Sequence, residues 1–408
     1  MTTPATASGD PRGPGSGESE GRMTACEIAA AVHRGEISAR QTAAAALERI
    51  AGDDGGGDTV RAFTEWWPEV AAGQAAEVDR RIRAGERPPL AGVPLAVKST
   101  EGLSSHQTRR LVAAGCITVG ATATPGPGTR WQTWGATDRG PTLNPHDGRW
   151  SPGGSSAGSA AAVATGLVPL ATGSDGAGSV RIPAAWCSVI GLKPTNGLVP
   201  ARDRAGLNIS GPLARTASDA AAYLDALSSD TPRKHLASPS ERPLRTAWSA
   251  TLGFADTADR IAATAYAALE ALVAAGAVEL HDLPVRMPDP APCWEALRGR
   301  VPAADPGEAV RRRAALTRRL DALFTEVDLI ATPTTPNPPH GHDGPGATMS
   351  VALTWGFNIT GHPAISLPAG LTPAGEPVGL QLVARHHHEA DLLAAAAALE
   401  QSSAIERS

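Results

Sequence analysis

The chain has little of what marks several common protein classes. Its 408 residues include four cysteines, Cys26, Cys116, Cys187 and Cys293, and no CxxC pair. That spacing argues against a disulfide scaffold and against a cysteine-built zinc site, so a reducing, cytoplasmic setting is expected. Charged residues make up 19% and the net charge is −5, with no basic or acidic block. A nucleic-acid footprint is therefore not expected. No uninterrupted apolar run reaches membrane-spanning length, and no membrane partner is expected. Residues 1–22 are polar and rich in Gly, Pro and Ser, without the apolar core of a secretory signal. They read as a disordered tail, and residues 23–408 as one folded domain. Aromatic content is only 4%, beside abundant Ala, Gly, Arg and Pro, and carries little functional weight.

What is present is an alternation of helical and strand patterns. Thr24–Glu27 and Ser38–Gln41 fit capping boxes at the heads of two helices. Residues 66–85 read as a third helix, and Thr216–Asp219 caps another. LAGVPLAVKST reads as a short buried strand ending near Lys98. Helix 157–166 and strand 167–172 follow, then a loop GSDGAGS and a strand at 188–195. Later, 244–250 and 327–335 read as strands and 256–276 as a long helix. PAISLPAG and VGLQLVA form a strand pair, and EADLLAAAAALEQ is the last helix. The pattern predicts a layered α/β domain.

Two Gly/Ser loops stand out. The first, SPGGSSAGS, runs straight into an apolar helix. It contains G-x-S-x-G with Ser156 at its centre, but no strand pattern precedes it, as a nucleophile elbow would need. The second runs from Gly173 to Arg181. Two such loops flanking a helix and a strand can face one another, and successive backbone N–H groups in them can hold an oxyanion. A nearby lysine at the end of an apolar strand, Lys98, is short of water. Desolvation favours its neutral amine, which can act as a base toward a serine.

In order, AGVPLAVK, SPGGSSAGSAAAVATGLVPLATGSDGAGSVRIPAAWC and GLKPT closely resemble the amidase signature family. DLIATPTTP, FNITGHPAISLPAG and PVGLQLVARHHHEADLLAAAAALE resemble its closing segments, so the likeness covers roughly 23–400. The resemblance implies an α/β fold with a mixed twisted central β-sheet covered by helices on both faces, and a Ser–cis-Ser–Lys triad. Ser179 would be the nucleophile, Ser155 the bridging proton relay and Lys98 the base, with a cis bond entering Ser155. Backbone N–H groups of Gly176, Ala177, Gly178 and Ser179 would form the oxyanion hole. Ser156, Asp175 and Arg181 would support these groups. The implied reaction is hydrolysis of a carboxamide or N-acyl amine through a seryl acyl-enzyme, with a small-molecule amide as partner and without metal or cofactor. A homodimer stays open. Two alternatives keep the chemistry: acyl transfer to an amine in a biosynthetic pathway, and ammonia release resembling the A subunit of a glutamine amidotransferase.

The sequence departs from the family pattern at Ser99, Ala157, Ser174 and Ala177, and its stretch between Lys98 and Ser155 is short. That stretch carries Trp131, Trp134 and Trp150, which either line a pocket or fill the core. The run His386–His388 is expected to be solvated.

Overall fold

The computed structural model describes residues 23–55, 60–200, 203–228, 242–299 and 307–405. The tail expected at residues 1–22 lies outside these residues. Thirteen strands occur among them: β1 (Phe63–Trp66), β2 (Pro94–Lys98), β3 (Ile117–Thr122), β4 (Ala136–Thr137), β5 (Gly140–Pro141), β6 (Leu170–Asp175), β7 (Ile190–Lys193), β8 (Ile209–Ala214), β9 (Leu244–Trp248), β10 (Val278–Leu280), β11 (Leu329–Pro333), β12 (Ala364–Leu371) and β13 (Pro377–Ala384). The helices are α1 (Ala25–Arg34), α2 (Ala39–Gly55), α3 (Pro68–Arg83), α4 (His106–Ala113), α5 (Ala157–Ala164), α6 (Arg181–Trp186), α7 (Ala217–Leu227), α8 (Asp259–Ala274), α9 (Ala291–Leu297), α10 (Glu308–Glu326), α11 (Trp355–Thr360) and α12 (Glu389–Ile405).

An 11-stranded sheet runs β1-β3-β2-β6-β8-β7-β12-β13-β11-β9-β10. It is mixed: β3, β2 and β6 are parallel neighbours, as are β11, β9 and β10, while β6 to β13 pair antiparallel in the middle. Helices lie on both faces, and β13 shows why. Val378 packs with Ile261 and Ala265 of α8. A side chain at the next position, Gly379, would meet Ala185 of α6. Adjacent strand residues point to opposite faces, so α6 and α8 sandwich the sheet.

Local capping follows the sequence. Thr24 and Glu27 form a reciprocal capping box. Ser38 and Gln41 exchange the same pair of bonds. Thr216 accepts from the Asp219 N–H, but the Asp219 carboxylate reaches across to the Ala25 and Cys26 N–H groups and caps α1 instead.

Three corrections concern the site. The strand expected at 167–172 runs Leu170–Asp175, so Gly173, Ser174 and Asp175 are paired residues rather than loop. Their partners are Gly211, Ser210 and Ile209 of β8, a strand that the Gly-Pro pair in its middle hid from sequence reading. Gly211 is required there, because a Cβ would collide with the Leu192 carbonyl. The second loop also ends sooner than expected, since Arg181 opens α6.

Candidate active site

Because β2 and β6 are parallel neighbours, their C-terminal ends meet at one sheet edge. Lys98 ends β2, and its N–H donates to Thr172 Oγ1 of β6 at 2.8 Å. Its side chain is 2% exposed. Its Nζ lies 2.9 Å from Ser155 Oγ, 3.0 Å from Ser174 Oγ and 3.2 Å from the Ser174 carbonyl. Burial lowers its pKa from 10.5 to about 8, against a smaller opposing pull from Glu101 and Asp175. A neutral amine there has a lone pair available to the Ser155 hydroxyl.

Ser155 enters through a cis bond from Gly154. A side chain at 154 would strike the Gln132 carbonyl and the Trp134 backbone, so only glycine fits. The two Gly/Ser loops meet directly: the Ser156 N–H donates to the Ser179 carbonyl at 3.2 Å. Ser156 Oγ is buried and finds no partner among the described residues. Ser179 lies between β6 and α6 and lines the same cavity as Lys98 and Ser155.

Asp175 and Arg181 hold this second loop from behind. Both side chains are fully buried and pair at 2.9 Å. Asp175 also accepts the Gly178 N–H at 2.7 Å and the Val180 N–H at 3.2 Å. Burial pushes its carboxyl up, but the Arg181 charge and the bonds from Arg181 and Asn358 overcome this and hold it well below the usual range. Arg181 reaches on to the Thr354 carbonyl, Gln381 Oε1 and Asn358 Oδ1. Asn358 Nδ2 returns to the Asp175 carbonyl at 2.8 Å. Sequence reading gave Thr354, Asn358 and Gln381 no role. The signal was a lone glutamine inside the apolar run VGLQLVA, which had to find a buried partner.

The bond from Gly178 to Asp175 amends the expected oxyanion hole. That N–H is already committed, whereas those of Gly176, Ala177 and Ser179 have no acceptor among the described residues. Gly178 has φ +123°, and a Cβ there would collide with the Thr354 side chain.

The cavity holds about 800 Å³ and reaches from Lys98, Ser155 and Ser179 outward to Trp131, Trp294, Trp355 and Arg298. Trp134 is not in its wall and donates to Thr129 Oγ1 at 2.9 Å. Trp150 is not in the wall either, and bridges to the backbone of Gly341. Trp294 and Trp355 were not foreseen, and their rings stand 6.0 Å apart. Trp294 donates to the Gly176 carbonyl at 3.1 Å and so ties the wall to the second Gly/Ser loop. Arg298 lies over the Trp294 ring at 5.5 Å and pairs with Asp203 at 3.4 Å.

The histidine run is not simply solvated. His387 is exposed, but His386 is half-buried and packs at a tilt against His362 with ring centroids 3.9 Å apart.

The amidase family model matches residues 99–307 and 306–393, beginning one residue past Lys98. The chain belongs to the amidase signature family. As an amidase it is a hydrolase of amide C–N bonds. An acylamidase from Rhodococcus erythropolis is 31% identical, over 93% of this chain and 95% of its own. Among solved structures, a bacterial aryl acylamidase superposes with a TM-score of 0.80 at 24% identity, covering 94% of this chain and 97% of its own. A peptide amidase from Stenotrophomonas maltophilia superposes with a TM-score of 0.75 at 27% identity, covering 93% and 96%. No described helix of this amidase is long and apolar enough to cross a membrane.

Proposed function

We propose that this amidase hydrolyses N-acyl aromatic amines through an acyl-enzyme on Ser179, with Ser155 as proton relay and Lys98 as base. The observation that carries the reading is the buried Lys98 amine, 2.9 Å from Ser155 Oγ. Neutral Lys98 takes the Ser155 proton as Ser155 takes that of Ser179. Ser179 Oγ then bonds to the amide carbon, and the carbonyl oxygen becomes an oxyanion. The free N–H groups of Gly176, Ala177 and Ser179 face that charge, and one such donor is worth about 3–4 kcal/mol in a comparable hydrolase. The C–N bond breaks as Ser155 returns a proton to the leaving amine, and Lys98 reprotonates Ser155. Water, deprotonated along the same relay, attacks the ester carbon and releases the acid and Ser179.

Three indoles in the cavity wall, Trp131, Trp294 and Trp355, support an aromatic substrate, because flat rings stack on such faces. The name of the R. erythropolis relative, acylamidase, favours an N-acyl amine as substrate. The test is release of 4-nitroaniline from 4-nitroanilides of graded acyl length, set against acetamide and a C-terminally amidated dipeptide. Anilide turnover that vanishes in Ser179→Ala is expected. Turnover of acetamide or the dipeptide amide alone would refute the aromatic class. Anilide turnover that persists in Ser179→Ala would refute the nucleophile.

A further inference from the structure

Outside the cavity, Asp321 of α10, His362 at the head of β12 and His386 just past β13 come together. Each offers one ligand atom, and these atoms lie within 4.8 Å of one another. Thr360 contacts both rings. Its hydroxyl lies 3.1 Å from the Gly356 carbonyl and 3.0 Å from His362 Nδ1. His362 Nε2, the ring nitrogen that Thr360 does not hold, lies 3.8 Å from Asp321 Oδ1. The Thr360 carbonyl can only accept, and it takes the His386 Nε2–H at 3.0 Å. In the neutral ring His386 Nδ1 then carries the lone pair. A carboxylate and two imidazoles therefore cluster, with one nitrogen of each ring held by Thr360 and the other left to take a ligand's place.

We propose that Asp321, His362 and His386 form a binding site for a divalent transition-metal ion of the zinc type. Two neutral imidazoles and one carboxylate match that ion's ligand preference, with water left to complete a tetrahedron. Bonds of about 2.0–2.2 Å need ligand atoms closer together than the 4.8 Å limit, so the cluster must tighten slightly. Asp321 can supply that movement: its side chain is 59% exposed, while that of His362 is 1% exposed. Phe324 stacks on His362 at 5.2 Å and anchors it. Thr360 backs both histidines, as the outer partners of metal-bound imidazoles commonly do. The open Asp321 side gives the ion an entry path. The bound ion would tie α10 to the end of α11, the helix that carries Asn358 behind Asp175. Its role would be to brace the nucleophile loop without touching substrate.

Lys193 acts electrostatically on His362, and burial lowers its pKa to about 7, so the test is run at pH 8. Untagged, EDTA-treated full-length protein is titrated with Zn²⁺ by calorimetry, and with Co²⁺ by visible absorption. A single equivalent is expected to bind the wild type and raise its unfolding temperature. His386→Gln and Asp321→Asn, both at accessible positions, should each lose at least about tenfold in affinity and lose the thermal shift. Their hydrolysis without metal should match that of the metal-free wild type. No binding at millimolar Zn²⁺, or binding unchanged in both variants, would overturn the proposal.

Discussion

Lys98 offers a quantitative test because its burial must cost stability over a defined pH range. The native state holds it near pKa 8, against an ordinary 10.5 in the unfolded chain. Below pH 8 both states bind the proton, and stability does not vary through this group. Between 8 and 10.5 the unfolded state keeps a proton that the native state has released, so stability rises with pH. At about 1.4 kcal/mol per pH unit, the full rise is about 3 kcal/mol. Lys98→Met removes the titration from both states. Urea unfolding of the two proteins from pH 7 to 10.5 should therefore show the wild type gaining about 3 kcal/mol relative to the variant. Lys193, also lowered by burial, titrates in both proteins and cancels in the difference. The same pKa predicts that wild-type kcat/KM rises roughly tenfold from pH 7 to 9 and then levels off, as the neutral amine becomes the main form. Parallel stability curves, or a flat rate profile over that range, would refute the argument that desolvation frees the base.

Other consequences follow from the surrounding shell. Arg181→Met strands the buried Asp175 carboxylate and should destabilise the fold by about 3–5 kcal/mol in urea, with Arg181→Lys failing to restore the forked contacts. Trp294→Ala should raise KM for anilides several-fold and also lower kcat, because Trp294 holds the Gly176 carbonyl. Trp134→Ala, outside the cavity wall, should leave KM for anilides unchanged.

The parts of the fold visible in the sequence were those fixed by neighbours in the chain. The boxes at Thr24 and Ser38, the apolar strand ending at Lys98 and the pairing of β12 with β13 across a short turn all depend on local residues. What escaped depended on distant partners. β8 carries Gly211 and Pro212, which disfavour a strand in isolation, and it forms because β6 and β7 flank it. Trp294 reaches the cavity only through the way α9 packs. At the site, the resemblance singled out Lys98, Ser155 and Ser179, which line one cavity. It did not reveal that Gly178 gives its N–H to Asp175, nor that Asn358 and Gln381 complete the Arg181 cage. His386 was misjudged for the same reason, since its partner Thr360 lies 26 residues away.

The central claim is that Ser179 is the nucleophile, activated by Lys98 through Ser155. Its most direct test is fluorophosphonate labelling read by intact mass and peptide mapping, for the wild type and for Ser179→Ala, Ser155→Ala and Lys98→Ala. The account predicts one adduct on Ser179, absent in Ser179→Ala and sharply slowed in the other two. An adduct on Ser156, or labelling of Ser179 at the wild-type rate in Lys98→Ala, would contradict it.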